Sequence, residues 1–189
     1  METKQHLIAV DLDGTLLTDD KTISKRNLEA LEKAADAGHI VVIATGRPHR
    51  SSIDHYHTLG LNTPMVNFNG ALIHHPANNQ WNVLHNPMSI RTALRIVDAC
   101  YEISTHNIVA EVMDNVYLDR YDEQLIDIFQ TSPNSPFTIG SLKNNLTHDP
   151  TSLLIHPKEE NIQSIRKHLE DDHAELIEHR KWGGTLEYY

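Results

Sequence analysis

Apolar residues in this chain fall into two textures. Leu7–Val10 and residues 40–44 are short apolar runs without alternation, the pattern of strands buried on both faces of a parallel sheet. Between them Leu28, Leu31, Ala34 and Ala35 recur at helical spacing, with Ser24 where an N-cap belongs and Gly38 where a helix stops. Strand, helix and strand in that order predict a βαβ unit, which closes right-handed and brings both strands to the same sheet edge. A second helix is predicted over 48–59, with Pro48 in its first turn and Gly60 after it. A third short strand, 65–68, then delivers Asn69 and Gly70 to the same edge.

The texture changes near Pro76. Residues 76–80 form a turn-rich stretch inside a predicted hairpin that joins 71–74 to 81–84. The pattern then predicts a helix at 89–104, strands over 107–120, a helix at 123–131 and a loop. A strand at 152–156, a helix at 158–172 and a strand at 174–179 follow. Two rounds of strand and helix predict a second, smaller α/β layer domain.

Composition narrows the function. With 39% hydrophobic and 22% charged residues, the chain has the make-up of a folded domain rather than a disordered one. Asp and Glu outnumber Lys and Arg by 26 to 16, giving a net charge of -10, and no Lys/Arg-rich run offsets it locally. Nucleic acid is therefore not an expected partner, because affinity for a phosphate backbone needs a basic face. A single cysteine, Cys100, excludes an internal disulfide and fits a reducing compartment, so the cytoplasm is the expected location. The polar start leads into an apolar run too short for a signal sequence or a membrane span, and no membrane partner is expected.

The informative passage is Asp11-Leu12-Asp13-Gly14-Thr15. Two carboxylates one residue apart stand where a strand ends, and carboxyl ends of parallel strands are where open α/β sheets bind ligands. Gly14 permits the turn needed there, and the loop's N–H groups can cradle an anion. One carboxylate can attack phosphorus while the other moves a proton to the leaving group and then from water. A hard, oxygen-ligated cation such as Mg²⁺ would offset the repulsion between carboxylates and phosphate. The plainer alternative is a solvated turn or a piece of a calcium loop. The latter fails because the third acidic position and the closing Glu of an EF-hand are missing.

Asp11 to Thr15, together with Thr45-Gly46-Arg47 and Asn69-Gly70-Ala71, resembles the haloacid dehalogenase superfamily, and in particular its Cof-type sugar-phosphatase-like branch. The resemblance runs over the whole chain. It implies an α/β fold: a Rossmann-like parallel sheet, incomplete here, with an inserted α/β cap domain. Residues 1–84 would be the N-terminal part of the core, 85–183 the cap that selects substrate, and 184–189 the start of the return to the core. It also implies Asp11 as nucleophile and metal ligand, and Asp13 as general acid/base whose carbonyl is a further Mg²⁺ ligand. Leu12, Gly14, Thr45, Gly46, Arg47, Asn69 and Gly70 would line the phosphate end of the site. The implied reaction is hydrolysis of small phosphorylated metabolites, sugar phosphates or nucleotide-like compounds, through an aspartyl-phosphate.

Two parts of the family's site have no counterpart: a lysine beyond the cap and a Gly-Asp-x-x-Asn-Asp type loop, since no Gly-Asp pair occurs in the chain. The expectation is a chain truncated before these motifs, impaired in catalysis, with its first strand an open edge available for self-association. Two other readings stay open: a non-catalytic phosphate-binding or regulatory module, and a phosphomutase. Fourteen histidines do not change the picture, because neither His55/His57 nor His74/His75 shows the i, i+4 pairing with a glutamate that zinc hydrolases use. Cys100 shares a helical pattern with Leu94, Ile96 and Val97 and is expected to be a buried small hydrophobe rather than a nucleophile.

Overall fold

A computed structural model describes residues 4–129, 137–173, 179–182 and 185–188, with side chains over 4–129 and 137–169. Expectations for 130–136, 174–178 and 183–184 fall outside these residues. The chain divides into two compact units, Met1–His85 and Asn86–Tyr189.

In the first unit β1 (Leu7–Val10) and β2 (Ile40–Ile43) pair in parallel, Leu7 opposite Ile40 and Val10 opposite Ile43. Helix α1 (Lys25–Asp36) crosses between them. Its start is fixed by the Ser24 hydroxyl, which accepts the Asn27 N–H at 3.2 Å; its end is fixed by Gly38, left-handed at φ 87°. A parallel bridge between Ala44 and Val66 sets β3 (Met65–Asn67) beside the end of β2. β3 continues into an antiparallel sheet with β4 (Leu72–His74) and β5 (Leu84–His85). Leu12, Leu16, Leu17, Ile43, Tyr56 and Met65 form the buried apolar centre. Three of these six come from the segment just after β1, so the acidic loop is anchored by its own leucines.

The structure departs from expectation at four places in this unit. β1 is not buried on both faces: Leu7 is 68% exposed, and Ile8 and Val10 are only half-buried. Among the described residues β2 is its one strand partner, so its other edge has nothing to cover the apolar run. In α1 the apolar stripe is half-buried at Leu28, Leu31 and Ala34, while Ala35 is exposed. The helix expected over 48–59 is broken into a 3₁₀ turn, His49–Ser51, and α2 (Ile53–Thr58). Buried Ser52 interrupts it at φ -116°, its hydroxyl donating to the Pro48 carbonyl at 2.5 Å and accepting from Asn67 Nδ2 at 3.0 Å. The hairpin after β4 closes later than expected, with Leu72 opposite His85 and Ile73 opposite Leu84.

The second unit is a six-stranded sheet. In chain order it contains α3 (Ile90–Ile103), β6 (Thr105–Val112), β7 (Asn115–Leu118), α4 (Glu123–Phe129), β8 (Phe137–Ile139) and α5 (Leu142–Asn145). It ends with β9 (Ser152–Pro157), α6 (Ile162–His173), β10 (His179–Trp182) and β11 (Thr185–Tyr188). The strands lie in the order β10-β11-β9-β6-β7-β8, antiparallel except for the parallel pair β7-β8. Successive residues of the central strands serve opposite faces. Ile108, Ala110, Leu153 and Ile155 pack with Ala93, Ile96, Val97 and Cys100 of α3 and Ile165 and Leu169 of α6. Val109 and Leu154 pack on the other side with Leu125 and Phe129 of α4. Cys100 is buried at 1% exposure, as its spacing predicts.

β8 and α5 lie where the sequence pattern suggests only a loop. Residues 184–189, expected to leave for the core, include β11, which pairs antiparallel with β9, Leu186 opposite Ile155. No helix among the described residues is long and apolar enough to cross a membrane.

Candidate active site

Immediately after β1 the chain winds through one wide turn. Leu16 N–H donates to Asp11 O at 3.2 Å and Leu17 N–H to Leu12 O at 2.9 Å, each reaching five residues back. Gly14 at φ 72° makes this winding possible. Leu12 and Leu16 enter the core, which leaves Asp11, Asp13, Gly14 and Thr15 facing outward. Apolar anchors spaced four apart thus present two acids at the strand's carboxyl end.

Two further segments converge by backbone bonds. Asn69 N–H donates to Thr45 O at 3.1 Å, Phe68 N–H to Arg47 O at 3.3 Å, and Asn67 Nδ2 to the same Arg47 carbonyl at 2.9 Å. Buried Thr45 accepts the Arg47 N–H on its hydroxyl oxygen at 3.2 Å, which leaves its own O–H as a donor. A Cβ on Gly46 would stand 3.1 Å from Asn69 Oδ1, so the absence of a side chain there is what admits the Asn69 amide. Phe68, Asn69 and Gly70 have φ of 50°, 52° and 105°. For an aromatic residue this left-handed geometry costs about 1–3 kcal/mol, and it is held by burial of the Phe68 ring to 1% exposure.

Charge is distributed unevenly. Arg47 grips Asp13 with a two-pronged fork, Nε to Oδ2 at 2.6 Å and Nη2 to Oδ1 at 2.8 Å. Lys21 Nζ adds a third contact to Oδ1 at 2.8 Å. The Arg47 guanidinium holds the Asp13 carboxyl well below the usual carboxylate range; partial burial opposes this and Lys21 reinforces it. Asp13 in turn raises Arg47, with a further contribution from the charge of Asp11. Behind the fork, Arg47 Nη1 donates to Ser51 O at 3.2 Å and lies 3.5 Å from His55 Nε2. Burial first, and then Arg47, lower the pKa of His55. Asp11 is much less committed: its carboxylate accepts the Leu12 N–H at 2.8 Å.

Of the residues singled out from sequence, Asp13, Thr45, Gly46, Arg47 and Asn69 are thus joined by direct contacts, and Asp11 by the field it exerts on Arg47. Gly14 and Gly70 supply the two left-handed turns. Leu12 differs from the rest, since its side chain is in the core and its N–H is taken by Asp11. Sequence reasoning misses Lys21, since a lone lysine in a polar turn carries no local signal, and it weighs His55 only as a zinc ligand, not as a neighbour of Arg47.

The oxygen donors suit a hard cation. The Asp11 carboxylate and the Asp13 carbonyl are oxygen donors that could contribute to such a site, with water and a phosphate completing the shell. Among the described residues there is no group of three or more His, Cys, Asp or Glu side chains placed to hold a metal ion.

This fold and loop geometry define a class. Residues 8–187 match the haloacid dehalogenase-like hydrolase family, and the chain belongs to it. Among proteins it is similar to is one from Bacillus subtilis named 5-amino-6-(5-phospho-D-ribitylamino)uracil phosphatase YitU, 49% identical over 96% of this chain and 67% of the relative. Another, the pyridoxal phosphate phosphatase YbhA of Escherichia coli, is 36% identical over 54% of this chain and 38% of its own length. A solved haloacid dehalogenase-like hydrolase from Bacteroides thetaiotaomicron shares the fold at a TM-score of 0.79 and 18% identity, covering 98% of this chain and 71% of that one. The chain spans about two thirds of the length of this Bacillus subtilis phosphatase.

Proposed function

We propose that the protein is a magnesium-dependent phosphohydrolase of small phosphorylated metabolites that works through an aspartyl-phosphate on Asp11. The observation that carries this reading is the convergence after β1, β2 and β3 of a lightly held carboxylate, a firmly held carboxylate, a hydroxyl donor and a guanidinium. Asp13 takes up a proton from solvent once Arg47 has left it; Asp11 then attacks phosphorus, the ester P–O bond breaks, and Asp13 passes that proton to the departing oxygen. Water then attacks the aspartyl-phosphate as Asp13 takes its proton, which releases inorganic phosphate and restores Asp11. Thr45 O–H and Asn69 hold phosphoryl oxygens. Arg47 moves from Asp13 toward the phosphoryl group as the substrate enters, which frees Asp13 to carry the proton. Mg²⁺, held by the Asp11 carboxylate and the Asp13 carbonyl, would supply charge neutralisation for the incoming phosphate.

The relative at 49% identity supports a substrate that joins a phosphorylated sugar alcohol to a pyrimidine. 5-Amino-6-(5-phospho-D-ribitylamino)uracil is accordingly the first compound to test, and the cytoplasm is the proposed setting. Phosphate release should require Mg²⁺ and fall at least ~10³-fold in Asp11→Asn, the size of loss typical of removing a nucleophile. Unchanged turnover in that variant overturns the reading.

A further inference from the structure

The hairpin that follows the acidic loop has no place in the proposed chemistry so far. It runs from Leu17 to Ile23, which face each other in an antiparallel bridge. Its root is in the core, with Leu17 buried and Ile23 packed against the same cluster. Its tip is tied by Thr18: the Thr18 N–H donates to Thr22 O at 2.9 Å, its hydroxyl donates to the same carbonyl at 3.1 Å, and Lys21 N–H donates back to Thr18 O at 2.9 Å. Lys21 sits at φ 58°, a left-handed position where Gly or Asn would be less strained. The strained residue is a long cation, and its ammonium reaches back across eight residues to Asp13 Oδ1. An exposed ion pair contributes little to stability, so stability alone is a poor reason for this arrangement.

The three contacts on Asp13 are not equivalent. Oδ1 is shared by Arg47 Nη2 and Lys21 Nζ, whereas Oδ2 is held by Arg47 Nε alone. If Arg47 turns to a phosphoryl group, Lys21 still holds Oδ1 and Oδ2 becomes the exposed oxygen. We infer that Lys21 is a positioning residue: carried on a core-anchored hairpin, it fixes Asp13 by Oδ1 so that proton transfer to and from the substrate runs through Oδ2. This rests on the phosphatase reading above and adds a residue and an oxygen to it.

The contact and its role are tested separately. Acetic anhydride labelling of the purified protein, read by mass spectrometry with exposed Lys25 as internal reference, should modify Lys21 at least threefold faster in Asp13→Asn than in the wild type. Equal rates would overturn the contact, whatever the protein's activity. The role is read from kcat/KM for two esters. An alkyl phosphate needs its leaving oxygen protonated, whereas p-nitrophenyl phosphate leaves as a stable phenolate. Lys21→Met should lower kcat/KM tenfold or more for the alkyl ester and less than twofold for the aryl ester, and Lys21→Arg should restore most of the difference. An equal loss on both esters, or none on either, overturns the positioning role. If the wild type hydrolyses neither ester while the labelling difference persists, the phosphatase reading has failed along with the proton role, and only the ion pair remains.

Discussion

The first strand of the first unit and the central strands of the second are similar in apolarity and opposite in environment. Leu7–Val10 is as apolar as Ser152–Pro157, yet Leu7 is 68% exposed while Leu153 and Ile155 are fully buried. The difference is coverage. β9 has a strand on each side and helices on both faces, whereas β1 has one strand partner among the described residues. Chemistry follows the opposite order: the ion pairs and left-handed residues of the candidate site belong to the thinly packed unit. Apolarity states what a strand can bury, and its neighbours decide what it does bury.

Two substitutions test this contrast. Leu153→Ala should cost about 2–5 kcal/mol in urea denaturation, because a full side chain leaves a closed cavity, while Leu7→Ala should cost less than ~0.5 kcal/mol. Comparable losses would mean that β1 is covered in solution and would break the contrast.

Cys100 offers a second probe of the well-packed unit. Burial, with a contribution from Asp119, pushes its thiol up to about 12. A free thiol near ~8.5 ionises first in the unfolded chain, so the stabilising effect of the raised value is complete below that pH. It is lost as pH rises toward the folded value, by up to ~1.4 kcal/mol per pH unit. Stability measured across that alkaline range should fall more steeply in the wild type than in Cys100→Ala; identical slopes would show that the thiol is not held protonated.

A further small effect belongs to the thinly packed unit. Gly46→Ala should cost only ~1 kcal/mol, because its Cβ meets the end of one side chain, yet it should raise KM several-fold by moving Asn69. An unchanged KM would separate Asn69 from phosphate binding.

Much of the site is legible because its signals are local. Asp11 and Asp13 follow an apolar run, Gly14 marks a turn, and Thr45 and Asn69 stand where later strands end. What is not legible depends on distance along the chain. The Arg47 fork joins residues 34 apart, and neither partner's neighbours announce the other. The short β8 gains its strand character from pairing beside β7, which no pattern within three residues encodes.

The left-handed run Phe68-Asn69-Gly70 bears on protein engineering. Its conformational cost is carried whether or not a ligand is bound, so selection for heat resistance alone will find substitutions there that relax it. Those same substitutions would move the Asn69 amide off Gly46. A thermostability campaign on this protein should therefore hold positions 46 and 68–70 fixed.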